Sequence, residues 1–466
     1  MAAIDPALQS AFEAIVGADR VLTDEESLQH YGRDWTRFYP PMPCAVVLPG
    51  SIAEVQDVVR LAARENLAIV PSGGRTGLSA GGVAKNGELV LALDRLNRIE
   101  DFNPVDRTVR CGAGVVTEQL QQYAVEQGLF YPVDFASSGS SQLGGNISTN
   151  AGGIKVIRYG MTRDWVAGLK LVTGTGELLD LNRGLVKNNT GYDLRHLVIG
   201  AEGTLGIVVE ATMQLDQPPQ DLAVMVLGAP DMGAIMEVLA AFRAEVPLCA
   251  FEFFSEPALK KVVAHQGLPR PFETECEYYA LLEFEQTGED TLDRAMAAFE
   301  RCVEEGWVLD GTVSQSLSQA QNLWRLREDI SETITPWTPY KNDISTVISR
   351  VPEFLAEVEE VVNGAYPDFE IIWFGHIGDG NVHLNILKPE ALDIDVFREQ
   401  CGEVSKLVFD IVQRFGGSVS AEHGVGLLKK DYLQYSRSPL EIEIMRQIKK
   451  AFDPQGIMNP GKIFDL

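Results

Sequence analysis

Positive charge is scarce in this chain. Over 466 residues, 39 lysines and arginines stand against 66 aspartates and glutamates, a formal charge of −27. Such a surface repels phosphate backbones and anionic lipid, which argues against nucleic-acid binding and a membrane-surface role. An anionic small substrate stays compatible, but it requires local cations that stand out against the acidic background. The six cysteines (Cys44, Cys111, Cys249, Cys276, Cys302, Cys401) form no Cys-x-x-Cys pair and no ferredoxin-like run. That pattern argues against an iron–sulfur cluster or a structural zinc and points to a reducing compartment. Long apolar runs are missing too: the strongest, Ala223 to Phe242, is interrupted by Pro230, Asp231 and Glu237 and cannot span a bilayer. Met1 to Ser10 has no basic segment followed by an apolar core, so no secretory signal is evident and a cytoplasmic enzyme is the expectation. No G-x-x-x-x-G-K-[ST] sequence occurs, which removes the main support for a kinase or ATPase. The G-x-G after a strand-like segment, Gly112-Ala113-Gly114, lacks the third glycine of a dinucleotide fingerprint, which weakens an NAD reading.

Histidine is also rare, and its distribution is informative. Three of the six lie in two glycine-flanked segments, Gly375-His376-Ile377-Gly378-Asp379-Gly380-Asn381-Val382-His383-Leu384-Asn385 and Ser420-Ala421-Glu422-His423-Gly424. The first reads as a β-hairpin, because apolar runs flank Asp379-Gly380, a dipeptide that favours a two-residue type I′ turn. That turn sets His376 directly opposite His383, with Cβ atoms about 4.5 to 5.5 Å apart. Asn385 falls on the same face two residues on. Glu422 can add an anionic third ligand, giving two histidines and one carboxylate with open positions for substrate, and His423 is left to move protons.

The remaining pattern suggests an α+β protein. Strand-like segments at Val46 to Leu48, Ala68 to Val70, Leu89 to Leu93, Val109 to Cys111, Leu169 to Val172 and Gly206 to Val209, with helices at Ile52 to Glu65 and Val116 to Gly128, fill the first half. Asp216-Gln217-Pro218-Pro219-Gln220 breaks the pattern and is a natural boundary. Beyond it come strands at Leu222 to Leu227, Tyr278 to Glu285 and Asp343 to Ile348. Helices are expected at Met232 to Arg243, Thr291 to Glu305, Leu317 to Ile334, Pro352 to Asn363 and Phe397 to Phe415. Together with the hairpin, they suggest an antiparallel sheet with helices between its strands.

Two glycine-rich loops mark the first half: Pro71-Ser72-Gly73-Gly74-Arg75-Thr76-Gly77-Leu78-Ser79-Ala80-Gly81-Gly82, and Ser138-Gly139-Ser140-Ser141-Gln142-Leu143-Gly144-Gly145-Asn146-Ile147-Ser148-Thr149-Asn150-Ala151-Gly152-Gly153. Successive backbone N–H groups in such loops approach an anion closely, and the second loop adds hydroxyl and amide donors. Two of them in one β-rich region point to a large phosphate-bearing cofactor.

These loops, with Gly200-Ala201-Glu202-Gly203-Thr204-Leu205-Gly206-Ile207, the histidine hairpin, Ala421 to Gly426 and the terminal Asp453-Pro454-Gln455-Gly456-Ile457-Met458-Asn459-Pro460-Gly461-Lys462, follow one another in the order seen in a known family. The chain resembles the FAD-linked D-2-hydroxyacid dehydrogenases of the vanillyl-alcohol oxidase superfamily over nearly its whole length. The resemblance implies a FAD-binding domain of two subdomains over residues 1–217, a substrate- and metal-binding α+β domain over 218–425, and a C-terminal helical segment, 426–466, closing over the flavin. It implies the pyrophosphate on Gly73 to Ser79 and the flavin ring against Ser138 to Asn150 and Glu202 to Ile207, with Asn459 also at the cofactor. Some relatives attach FAD through a histidine in the first loop. Arg75 and no histidine stands there, so non-covalent FAD is expected.

The same resemblance assigns His376, His383 and Glu422 to a zinc or manganese site and His423 to the catalytic base. Oxidation of a 2-hydroxyacid then needs the metal to polarise the hydroxyl while the base takes its proton. In members that oxidise 2-hydroxyglutarate, positions matching Arg327, Ser331 and Lys341 hold Arg, Thr and Lys and contact substrate carboxylates. The D-lactate enzymes keep the arginine but have no lysine at the position of Lys341. The expected substrate is therefore D-2-hydroxyglutarate, with D-malate as a second. D-lactate or glycolate oxidation is the alternative, and an alkyl-glycerone-phosphate synthase-like transferase a more distant one. Without the family frame, Arg327 and Lys341, amid Glu328, Asp329 and Asp343, read as surface ion pairs. By analogy the electron acceptor is an electron-transfer flavoprotein or a quinone-linked carrier, and the assembly a homodimer.

Overall fold

The computed structural model describes residues 4–36 and 38–466; Met1 to Ala3 of the N-terminal segment, and Arg37, lie outside the described residues. The chain forms two compact units. The first comprises residues 1–152, 160–218 and 422–466, and the second 153–159 and 219–421. The last break thus falls between Ala421 and Glu422, four residues before the boundary expected at 425/426.

The first unit holds two sheets. In the smaller, the strands run in the order Val21–Leu22, Ala45–Val47, Leu89–Ala92, Ile69–Ser72, the outermost pair antiparallel and the others parallel. Val46, Val70 and Val90 are fully buried on one side with Leu28 and Ala84, as continuous apolar runs in parallel strands require. The second sheet is antiparallel, in the order Ile99–Asn103, Thr108–Gly112, Ile207–Gln214, Val166–Val172, Leu178–Leu181. The C-terminal segment is stitched into the first: Ile69 N–H donates to Ile457 O at 2.8 Å, and Asn459 N–H to Ile69 O at 2.8 Å. Buried Lys449 donates to Asp453 Oδ2 (2.7 Å), Thr204 O and Met458 O (both 2.8 Å), so its charge is spent on closing the terminal turn.

The second unit is built on one antiparallel sheet of seven strands, in the order Asp310–Val313, Leu222–Ala229, Tyr278–Glu285, Leu248–Ser255, Ile371–Gly375, Asn381–Ile386, Tyr340–Ser345. One face packs on the helices Glu256–Gln266, Leu317–Glu328 and Ile330–Thr333, through Phe254, Tyr279, Leu281, Ile372 and Phe374 against Leu259, Trp324, Leu326 and Ile330. No helix among the described residues is long and apolar enough to cross a membrane.

Three local readings change. The histidine hairpin does not turn on Asp379-Gly380 alone: Ile377–Asp379 forms a 3-10 turn, and the ladder pairs Phe374, not His376, with His383. The slip is two residues, which preserves the face each side chain occupies. The strand expected at Asp343 to Ile348 runs from Tyr340 to Ser345. The helix expected through Ile334 is interrupted at Asp329, whose backbone nevertheless stays right-handed helical (φ −73°, ψ −6°).

Candidate active site

In the first unit both glycine loops face one cleft. The first loop leaves the strand Ile69–Ser72, and the second opens the short helix Leu143–Thr149. They touch where Gly74 meets Ser140 and Ser141. A Cβ on Gly74 would stand 2.2 Å from Ser140 O, so no other residue fits. Pro71, Ser72, Gly73, Gly74, Arg75, Thr76, Gly77, Ser79, Gly144, Gly145, Asn146, Thr149, Glu202, Gly206, Ile207 and Asn459 all line the cleft. Ser138, Gly139, Ser141 and Asn150 do not. Ser141 Oγ instead pairs with Thr117 Oγ1 at 2.8 Å, which accepts from Asn146 Nδ2 at 2.6 Å. Asn150 caps its helix in the left-handed region and accepts from Arg163 N–H.

The lining fits a large phosphate-bearing group. Among the described residues, the N–H groups of Gly74 to Ser79 have no acceptor within the chain, as an anion nest requires. Asn459 Oδ1 and Gln142 Oε1 are buried without a partner, so each can accept a ligand donor. Gly82 and Gly145 face open space that a side chain would fill. Arg75 has φ +61°, donates to Gly73 O at 2.7 Å and pairs with Asp94 at 3.2 Å. Its guanidinium also lies 4.8 Å from the Tyr31 ring centroid. Gln142 of the second loop lines the cleft as well, as do Arg33 and Leu93, to which the sequence assigned no role.

Glu202 has a role the motif did not disclose. Its carboxylate, buried in the first unit, accepts from Val425 N–H at 2.7 Å and Gly426 N–H at 2.8 Å, two and three residues beyond His423. Burial pushes its pKa up, against these two donors and the nearby Lys429 and Lys462. Gly424 (φ +77°) and Gly426 (φ +50°) are required here, because added Cβ atoms would come within 2.9 Å of Glu202 Oε1 and 2.0 Å of Ser79 O. Asn459 Nδ2 ties the same corner together by donating to Glu202 O at 2.6 Å and Gly81 O at 2.9 Å.

In the second unit, one face of the strands Ile371–Gly375, Asn381–Ile386 and Tyr340–Ser345 gathers the other candidates. Cross-strand pairs set Asp343 opposite His383 and Lys341 opposite Asn385. The rings of His376 and His383 stand 5.4 Å apart, nearly perpendicular, so the two imidazoles meet despite the altered turn. His376 Nδ1 lies 2.8 Å from Glu252 Oε1, and His383 Nδ1 lies 3.8 Å from Asp343 Oδ1. Arg327 is buried, pairs with Glu252 Oε2 at 2.8 Å and stacks 4.7 Å over the Phe374 ring, so it is no surface ion pair. Lys341 donates to Ser331 Oγ at 2.8 Å. Lys341 is an exposed residue, yet desolvation pushes the pKa of its amine down. Asn385 is buried and donates to Ile372 O and His383 O, both at 3.3 Å. Ala421 N–H donates to Asp343 O at 3.3 Å, fixing the residue that immediately precedes Glu422 and His423 in the chain.

A FAD binding domain matches residues 43–182, and the C-terminal domain of FAD linked oxidases matches residues 218–463, more than half of the chain. The chain belongs to the FAD-linked oxidase family, in its D-2-hydroxyacid dehydrogenase branch, and is a flavin-dependent oxidoreductase. It is 62% identical over 460 residues to the D-2-hydroxyglutarate dehydrogenase of Stutzerimonas stutzeri (strain A1501), covering 99% of both chains. It is 35% identical over 458 residues to the mitochondrial D-2-hydroxyglutarate dehydrogenase of Bos taurus, covering 97% of this chain and 82% of that one. Among solved structures it is similar to p-cresol methylhydroxylase with substrate bound (TM-score 0.76, 16% identity, 98% and 96% covered). It is also similar to an alkyldihydroxyacetonephosphate synthase (TM-score 0.73, 19% identity, 98% and 85% covered). At these identities the two structures show a shared fold alone, the vanillyl-alcohol oxidase type.

Proposed function

We propose that this chain oxidises D-2-hydroxyglutarate to the 2-oxoacid, with D-malate as a second substrate, using non-covalent FAD and a divalent cation, zinc or manganese. The observation that carries the reading is Lys341. In an acidic protein, a lysine amine held by Ser331 lies on the same sheet face as His383 and Asn385, where a second carboxylate is the anion that calls for it. His376, His383 and Glu422 would hold the cation. Once bound, the cation supplies Lewis acidity to the substrate's hydroxyl and carboxylate oxygens, and FAD supplies the hydride acceptor. His423 takes the hydroxyl proton. Lys341 holds the distal carboxylate, Arg327 and Asn385 orient the end that reacts, and Ser331 keeps the lysine amine in place. The N–H groups of Gly74 to Ser79 carry the cofactor's pyrophosphate. An electron-transfer flavoprotein or quinone-linked carrier is the acceptor, and the working form is a cytoplasmic homodimer.

Anaerobic mixing of the purified flavoprotein with D- and L-2-hydroxyacids tests the reading by loss of flavin absorbance. D-2-hydroxyglutarate should bleach it fastest. Preference for D-lactate or glycolate would move the assignment to a monocarboxylate dehydrogenase and leave Lys341 without its ligand. No bleaching by any 2-hydroxyacid would turn attention to non-redox chemistry of the alkyl-glycerone-phosphate synthase kind.

A further inference from the structure

Glu252 is the single charged residue in the buried run Leu248-Cys249-Ala250-Phe251-Glu252-Phe253-Phe254-Ser255, and it is 1% exposed. A carboxylate in such a place must be paired and hydrogen-bonded to be tolerated. Oε1 is hydrogen-bonded to Nδ1 of His376 at 2.8 Å, while Oε2 lies 2.8 Å from the guanidinium of Arg327 as an ion pair without hydrogen-bond alignment. The ladder produces this arrangement, since Phe253 pairs with Gly375 and one further step brings Glu252 beside His376. The backbone of His376 is held independently, its carbonyl accepting from Asp379 N–H at 3.1 Å and Asn381 N–H at 3.2 Å. Arg327 balances the carboxylate's charge, so the hydrogen bond to the imidazole does not require an imidazolium. Asp343, at 3.8 Å from His383 Nδ1, is too far for the same bond.

We propose that Glu252 is a positioning residue: it keeps the proton of His376 on Nδ1 and turns an unprotonated Nε2 toward the divalent cation, while tying that ligand to Arg327 through one carboxylate. The inference rests on the cation site proposed above. A carboxylate behind a metal-bound imidazole fixes its tautomer and ring orientation and raises its basicity, and loss of such a partner weakens metal affinity 10- to 100-fold. The amide introduced by Glu252→Gln would offer one oxygen to the imidazole but set an N–H against the arginine. The ring would lose its anionic acceptor, and Arg327 its counter-charge.

The test measures zinc affinity of the holoprotein by competition with a chromophoric chelator, and the tautomer of His376 by nitrogen-15 NMR of histidine-labelled, zinc-free protein. The His376 signal is identified by its loss in His376→Asn. Wild-type protein should show the Nδ1–H form, and Glu252→Gln should bind zinc 10- to 100-fold more weakly with the flavin spectrum unchanged. Because that variant strands a buried guanidinium, Glu252→Gln/Arg327→Met provides a second background without it, and the same weakening is expected there. Wild-type zinc affinity in either folded variant overturns the proposal, and so does an Nε2–H tautomer at His376 in the wild type. If wild-type protein itself takes up no zinc, the cation site falls, and the tautomer alone then decides for or against Glu252.

Discussion

Lys341 and Ser331 are joined by a 2.8 Å hydrogen bond from Nζ to Oγ. The serine hydroxyl holds the amine in place without neutralising it, so the charge stays available to an anion. Lys341→Ala should lower kcat/KM for D-2-hydroxyglutarate by about 2 kcal/mol or more, the scale of a charge-assisted hydrogen bond lost from a partly desolvated site. D-lactate has no distal carboxylate and should be nearly indifferent. Equal losses on both substrates would place Lys341 at the common 2-hydroxycarboxylate end.

The same lysine predicts a pH effect. Burial lowers its pKa from the ordinary 10.5, and only the ammonium attracts a carboxylate. Affinity for the dicarboxylate should be complete below the folded pKa and should fall above it, beginning at lower pH than an ordinary lysine would dictate. KM for D-2-hydroxyglutarate measured against pH should therefore rise on the alkaline side, while KM for D-lactate stays flat. Lys341→Arg, with a guanidinium that stays charged, should remove the rise. A rise that survives that change belongs to another group.

Much of this site was legible in the sequence, and what was missed has physical reasons. The two glycine loops and the histidine pair announce themselves because their residue types are costly to place elsewhere. The hairpin register slipped because Asp-Gly is a turn signal of local origin, whereas the Ile377–Asp379 turn is backed by Gly378 packed on Phe251 and Gly380 packed on Thr346. The strand Leu248–Ser255 went unseen because a continuous apolar run has no alternation to read. With it went Glu252, although a lone glutamate between phenylalanines was the available signal. Glu202 was recognised as part of a cofactor motif, but its bonds to Val425 and Gly426 span more than 220 residues, and spacing of that kind cannot be read from one sequence.

FAD should be tightly held without a covalent bond. Arg75 stands where some relatives carry the attaching histidine, and it is occupied by Gly73 O and Asp94. Acid precipitation should release the yellow colour into the supernatant. Colour remaining in the pellet would contradict the non-covalent reading.

The cation should be needed for turnover and not for flavin retention, because the glycine loops of the proposed flavin cleft belong to the first unit, whereas His376 and His383 belong to the second. Chelation, or His383→Ala, should abolish activity and leave the flavin spectrum intact. Full activity in protein shown by elemental analysis to be free of metal would remove the cation from the mechanism.

His423, the proposed base, and Glu202 make the last case, since the loop that follows the histidine is fixed by this buried carboxylate. His423→Asn should keep flavin and metal but slow flavin reduction by roughly 10² to 10⁴, the usual contribution of a positioned base. Glu202→Gln leaves His423 in the chain but opposes one of the N–H groups of Val425 and Gly426 with an amide donor, so the loop loses an acceptor and flavin reduction should slow while flavin stays bound. The wild-type carboxyl also carries a pH signature. Burial raises its pKa above the ordinary 4.5, so on raising the pH from there the unfolded chain gives up its proton first and wild-type stability falls until the folded group ionises as well. Glutamine does not titrate. The stability of wild type relative to Glu202→Gln should accordingly decline as pH rises above about 4.5, measured as the difference between their melting temperatures. A difference that stays constant from about pH 4 to 8 would mean that the two N–H donors hold the carboxylate ionised throughout.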